Sequence, residues 1–89
     1  MADSVLPPLP MPADKFTLIV KQMDLSPQQA RVVELILRNC GDKEIAAEMQ
    51  LQVSTVRTYI GRLFDRLGVE NRLALVLKIF ALLHAESPQ

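Results

Sequence analysis

The stretch Asp42–Arg72, DKEIAAEMQLQVSTVRTYIGRLFDRLGVENR, decides how the rest of the chain is read. Within it Val56, Ile60, Leu63 and Leu67 recur at spacings of four, three and four, which sets one side of a helix for burial. On the opposite side Ser54, Arg57, Thr58, Gly61, Arg62 and Asp65 form a polar, mostly basic stripe that faces away from the core. A shorter helix comes first, marked by Ile45, Ala46 and Met49, and the small side chains of Ala46 and Ala47 predict a close crossing of the two. Such a crossing projects the second helix from the globule. The DNA major groove is wide enough to admit a helix there and shows a distinct donor and acceptor pattern for each base pair.

The run Leu25-Ser26-Pro27, then Asp42-Lys43-Glu44-Ile45-Ala46, Thr55-Val56-Arg57, and Leu67-Gly68-Val69 followed by Asn71-Arg72, resembles the LuxR/GerE-type helix-turn-helix family of bacterial transcription regulators. The resemblance extends from Leu25 to His84. It implies a compact all-α, four-helix helix-turn-helix domain over residues 25–85, to which the residue pattern adds an N-terminal helix over 13–24 and a disordered Pro-rich arm over 1–12. It also implies double-stranded DNA as partner, a homodimer formed through the last helix, and RNA polymerase as a possible contact. In the family such a module often follows a receiver or sensing domain, for which there is no room before Leu25. The chain is therefore expected to be a stand-alone effector or an excised output domain.

Eighty-nine residues with 49% apolar content suit one small domain. Formal net charge is zero, with ten basic and ten acidic side chains, which counts against a nucleic-acid binder in which phosphate neutralisation supplies affinity. The distribution matters more. Between Ser54 and Lys78 stand five basic residues, Arg57, Arg62, Arg66, Arg72 and Lys78, against Asp65 and Glu70, a local excess of three. The single cysteine, Cys40, has no internal disulfide partner, no Cys/His cluster has metal spacing, and no cofactor is expected. No secretory signal is evident at the N-terminus, so a cytoplasmic location is expected.

Pro7, Pro8, Pro10 and Pro12 keep the first twelve residues from being helical. They read as a disordered arm, or alternatively as a proline-rich ligand for a groove. Phe16, Ile19, Val20 and Met23 then fall at helical spacing after Pro12 and Asp14 and need a partner surface. The next helix opens at Ser26 with Pro27 in its first position and Gln29 completing a capping box. Asn39 suits the left-handed residue that ends it. Cys40 reads as a small buried hydrophobe, with a redox thiol as the alternative. Gly41 stands where the family favours a serine or threonine cap, and Asp42 is expected to serve instead. Gln29 and Arg31 replace acidic residues usual in the family, which predicts a lost salt bridge or partner contact.

Asn71 can cap a last helix in which Leu73 to Leu83 holds a single polar residue, Lys78. Eleven residues are too few to span a bilayer, and a helix apolar all round needs cover on more than one side. Either the Phe16/Ile19/Val20/Met23 stripe or a second copy supplies it. The dimer reading assigns Leu75, Lys78, Ile79 and Leu82 to the interface and implies inverted half-sites about one helical turn apart.

Arg57 is the foremost candidate for base reading, since a guanidinium bonds bidentately to guanine O6 and N7. Thr58 could meet a thymine methyl or a phosphate. Gly61 stands where relatives often place a longer reader, which hands that task to Arg62. Ser54 and Thr55 at the helix start suit phosphate contact or capping. Tyr59 could reach a phosphate or pack in the core, and Lys43 could reach the backbone. Arg66 and Arg72 are expected either on the DNA backbone or paired with Glu70 and Asp65. An enzyme is excluded by the isolation of His84 and by Cys40 having no partnered base. The alternatives to a DNA-binding regulator are a helical protein-interaction module that uses the apolar last helix, and a promoter binder like sigma-factor region 4.

Overall fold

The computed structural model describes residues 6–86. Among them are five helices and no strand: α1 Ala13–Gln22, α2 Pro27–Leu37, α3 Asp42–Met49, α4 Val53–Leu67 and α5 Arg72–Glu86. This is the all-α architecture expected from the motif. The first five residues of the proline-rich segment lie outside the described residues.

Four successive helices end by one device. Asp24, Asn39, Gln50 and Gly68 take left-handed backbone, with φ of 53°, 65°, 58° and 70°. Each is followed by an apolar residue whose N–H reaches five residues back: Leu25 to Val20, Cys40 to Leu35, Leu51 to Ala46 and Val69 to Phe64, all at 2.9–3.0 Å. This double closure satisfies carbonyls that a helix end would leave orphaned and turns the following side chain inward. Leu25 and Cys40 are buried, Leu51 and Val69 half-buried. Asn39 behaves as expected. Asp24 and Gln50 adopt left-handed backbone without the steric freedom of glycine, and the tertiary contacts of Leu25 and Leu51 hold them there.

The starts are equally local in origin. The Ser26 hydroxyl accepts from the Gln29 N–H at 3.1 Å, and the Gln29 side chain accepts from the Ser26 N–H at 2.9 Å. The Asn71 side chain accepts from the Ala74 N–H at 2.8 Å and opens α5. At α3 the expected cap is corrected. Gly41 is the cap residue, and Glu44 reaches back to accept from its N–H at 2.7 Å. Asp42 is drawn away by two arginines.

The core joins Leu35 and Val33 of α2, Ile45 of α3, Val56 of α4, and Leu75 and Ile79 of α5, all fully buried. Helices α3 and α4 pack together, and of the two small side chains expected at their crossing Ala46 is buried and Ala47 exposed. Helix α1 packs on α5, with Ile19 and Met23 buried and Phe16 and Val20 half-buried. The extra helix thus supplies part of the cover that the apolar α5 needs.

Two expectations change. Residues 6–12 are non-helical, but they are no free arm: Leu6, Leu9 and Met11 pack against the core while the prolines between them stay exposed. The Pro7 carbonyl accepts from Arg38 Nη1 at 3.3 Å. A proline-rich chain is already restricted, so docking it loses less conformational entropy than docking an ordinary coil. Second, Arg31 replaces the family's acidic residue without loss of a bridge, since it pairs with Glu34 at 3.1 Å and with Glu48 of α3 at 3.3 Å.

Candidate nucleic-acid interface

Helix α4 packs with Val56, Ile60 and Leu63 inward. Ser54, Arg57, Thr58, Gly61, Arg62 and Asp65 are all exposed on its other side. Its cap residue, Gln52, makes no capping side-chain hydrogen bond, so the first-turn N–H groups beside Ser54 and Thr55 have no side-chain cap from it. Those dipoles favour an anion. The Thr58 hydroxyl donates to the Ser54 carbonyl at 3.1 Å, leaving its methyl as the group that distinguishes it from serine. A Cβ built on Gly61 meets nothing within 4 Å, so this position is an open notch in the face.

Arg57 is the most exposed of the ion-paired arginines among the described residues. Its side chain is 68% accessible, and Nε donates to Asp42 Oδ2 at 3.1 Å. Its Nη1 and Nη2 make no hydrogen bond to the described residues. The other Asp42 oxygen accepts from Arg72 Nη2 at 2.7 Å, and Arg72 Nη1 donates to the Cys40 carbonyl at 2.6 Å. Asp42 therefore ties the start of α3 to both α4 and α5. Burial alone would raise its carboxyl, but hydrogen bonds from Arg57 and Arg72 outweigh burial and hold it below the ordinary carboxylate value. Burial pushes the Cys40 thiol up, reinforced by the carboxylates of Glu44 and Glu48. A thiol so placed is mostly protonated and a poor nucleophile.

The partners expected for Arg66 and Arg72 are corrected. Neither pairs with Glu70 or Asp65: Arg72 is held by Asp42, and Arg66 Nη2 donates to the Asp24 carbonyl at 2.7 Å, with the Asp24 carboxylate at 3.7 Å. Lys43 is exposed on α3 and Thr55 is half-buried. Tyr59 is half-buried and shares a shallow groove with Arg62, Leu63 and Ser26, Gln28 and Gln29 of α2. The polar start of α2 thus joins the α4 face. Nothing in the linear spacing of Gln28 announces this, because it arises from how α2 crosses α4.

On α5 the four residues expected at an interface differ in exposure. Leu75 and Ile79 are fully buried within their own chain and offer no surface to a second copy. Lys78 is exposed and Leu82 half-buried, while Leu73 and Leu77, one turn apart, are 66% and 60% exposed. An all-apolar helix carries no polar residues to mark which side faces in, so only the packing of α1 and the core decides it. No helix among the described residues is long and apolar enough to cross a membrane.

An exposed helix that follows a shorter one after a tight turn is the arrangement of a helix-turn-helix domain. Residues 23–79 match the bacterial regulatory proteins of the luxR family, and the chain belongs to that family. It is similar to the response regulator Rre1 of Synechocystis sp., 36% identical over 63 residues that cover 71% of this chain and 26% of the relative. It is also similar to the transcriptional regulatory protein DesR of Bacillus subtilis, 33% identical over 54 residues covering 61% of this chain and 27% of that protein. A third relative, the probable HTH-type transcriptional regulator GfsR of Streptomyces halstedii, is 35% identical over 54 residues, 61% of this chain and 22% of the relative. The chain spans about a quarter of the length of the curated relatives it matches. No solved structure matches it significantly.

Proposed function

We propose that the protein is a sequence-specific transcription regulator that lays α4 in the major groove of double-stranded DNA. The observation that carries this reading is the outer face of α4: Arg57, Thr58 and Arg62 exposed together, with the terminal nitrogens of Arg57 free of partners among the described residues. Arg57 reads a guanine, and Thr58 and Arg62 contact bases or sugar-phosphate beside it. Ser54 and Thr55 bind phosphate at the uncapped helix start, and Lys43, Tyr59 and Arg66 lie on the flanks of the same footprint. The working form is a homodimer that buries Leu73 and Leu77 with Lys78 and Leu82 at its border, so that two copies of α4 meet inverted half-sites about one helical turn apart. The protein works in the cytoplasm, and RNA polymerase is a further partner of the promoter-bound form.

The test is anisotropy of a labelled random-sequence duplex titrated with the protein at two salt concentrations, beside Arg57→Ala. Binding that falls steeply with salt and drops roughly tenfold or more in the variant on a selected site supports the reading. A folded protein that fails to bind at low salt sinks it. The exposure of Leu73 and Leu77 favours a second reading, a module that docks another protein through α5. That association would be insensitive to salt, which separates the two.

A further inference from the structure

Arg57 is not a free side chain. A guanidinium can engage a guanine through either of two donor edges, Nε with Nη2 or Nη1 with Nη2. In this structure Nε is already committed to Asp42 Oδ2 at 3.1 Å, so only the terminal edge remains for a base. Asp42 is itself fixed: its other oxygen accepts from Arg72 at 2.7 Å, and Arg72 is anchored on the Cys40 carbonyl at 2.6 Å. The chain of contacts runs from a buried turn, through Arg72 and Asp42, to the exposed tip of Arg57. A long side chain on a helix surface would otherwise sample many rotamers and spend its charge on whichever phosphate lay nearest.

From this juxtaposition we infer that Asp42 is a positioning residue for sequence recognition: it fixes Arg57 so that its Nη1/Nη2 edge meets guanine O6 and N7 end-on, and it partly neutralises the arginine so that phosphates compete for it less well. The inference rests on the DNA-binding reading of α4 given above. Asp42 contacts no base. It contributes discrimination, at some expense of unspecific attraction, because its negative charge stands close to the DNA footprint.

The two contributions separate experimentally. The wild type and its variants are each used to select bound duplexes from a random-sequence pool, and the affinity of each for an unselected random duplex is measured in parallel. The guanine position read by Arg57 is the one that Arg57→Ala erases. Asp42→Asn is expected to lower the preference for guanine at that position roughly tenfold, while binding to the random duplex stays equal or becomes tighter. Asp42→Glu, which keeps the charge but moves the carboxylate by one methylene, should lose the same preference and serves if the asparagine variant is poorly folded. Arg72→Gln removes the anchor of Asp42 but leaves its carboxylate beside Arg57, so it should lower the melting temperature and weaken the preference by less than the Asp42 variants do. If both Asp42 variants keep the wild-type guanine preference, or if Arg72→Gln loses it to the same extent, positioning by Asp42 is wrong and the carboxylate is merely structural. Positioning is equally overturned if Arg57→Ala erases no guanine position. Absence of any wild-type binding is a different result, since it removes the DNA-binding reading on which the inference stands.

Discussion

Helices α4 and α5 are each fifteen residues long and lie side by side in sequence, yet they solve burial in opposite ways. In α4 every third or fourth residue is apolar, and those residues, Val56, Ile60 and Leu63, are the ones buried. What remains outside is polar. In α5 nearly every residue is apolar, so the neighbours decide, and only Leu75 and Ile79 are fully enclosed. The large apolar side chains left outside there are Leu73 and Leu77. The two leftover surfaces call for different partners. The first offers hydrogen-bond donors and positive charge, which gain from phosphates and base edges. The second gains only by leaving water, at about 25 cal/mol per Å² of apolar area covered.

The largest expected effect tests the division inside α5. Ile79→Ala deletes buried methylenes from the core and should cost about 2–5 kcal/mol, enough to threaten folding of so small a domain. Leu77→Ala removes a side chain of similar size from the outside and should leave the unfolding free energy of the dilute protein within about 0.5 kcal/mol. Urea unfolding at low protein concentration compares them. Near-equal losses would mean that α5 has no inner and outer side. Repeating the measurement at high concentration sharpens the contrast: a dimer adds stability by mass action, and Leu77→Ala should lose that added part alone.

How much of this could be read from the residues follows the same contrast. The face of α4, the capping box at Ser26 and Gln29, the left-handed Asn39 and the Asn71 cap were all legible, because each is fixed by residues a few positions apart. The sides of α5 were not. By sequence Leu75 and Ile79 are as available as Leu73 and Leu77, since spacing carries no signal when the composition is uniform. Long-range pairing was equally hidden. Arg72 meets Asp42 thirty residues away, and Arg66 meets Asp24 across forty-two. Linear proximity suggested Glu70 and Asp65 instead. The packing of Leu6, Leu9 and Met11 escaped because prolines signal only the lack of a helix, not where an extended segment comes to rest.

A smaller effect tests the claim that nothing of the protein leans on the outer side of α4. Glycine in a helix interior is destabilising relative to alanine by roughly 0.5–1 kcal/mol, through the greater freedom it loses on folding. A Cβ at Gly61 meets no atom within 4 Å and its backbone is helical, so Gly61→Ala incurs no steric cost in return. The variant should melt several degrees higher, at about 4–8 °C per kcal/mol for a domain of this size. An unchanged or lower melting temperature would mean that this face is packed against something in the protein's own structure. The added methyl also narrows the notch that a base edge could occupy but removes no phosphate contact, so affinity for random duplex should stay nearly unchanged.

The smallest effect concerns the residue that links the two helices. Asp42 holds Arg57 of α4 with one oxygen and Arg72 of α5 with the other, and its carboxyl lies below the ordinary value because those hydrogen bonds outweigh the cost of burial. The sign follows from linkage. A carboxyl with a lower pKa in the folded chain than in the unfolded one contributes stability in full above about pH 4, the unfolded value, and loses it as the pH falls through the folded value. Both arginines are more than a third exposed, so the contribution is no more than about 1 kcal/mol. Contributions from other acidic pairs, such as Glu34 with Arg38, cancel in the wild type minus Asp42→Asn difference. That difference should favour the wild type at pH 7 and shrink as the pH falls below about 4. A difference that never shrinks as the pH falls below about 4 would show that the aspartate acts there by shape and not by charge. The bridge between α4 and α5 would then be a packing contact, and the two helices would be coupled through the core alone.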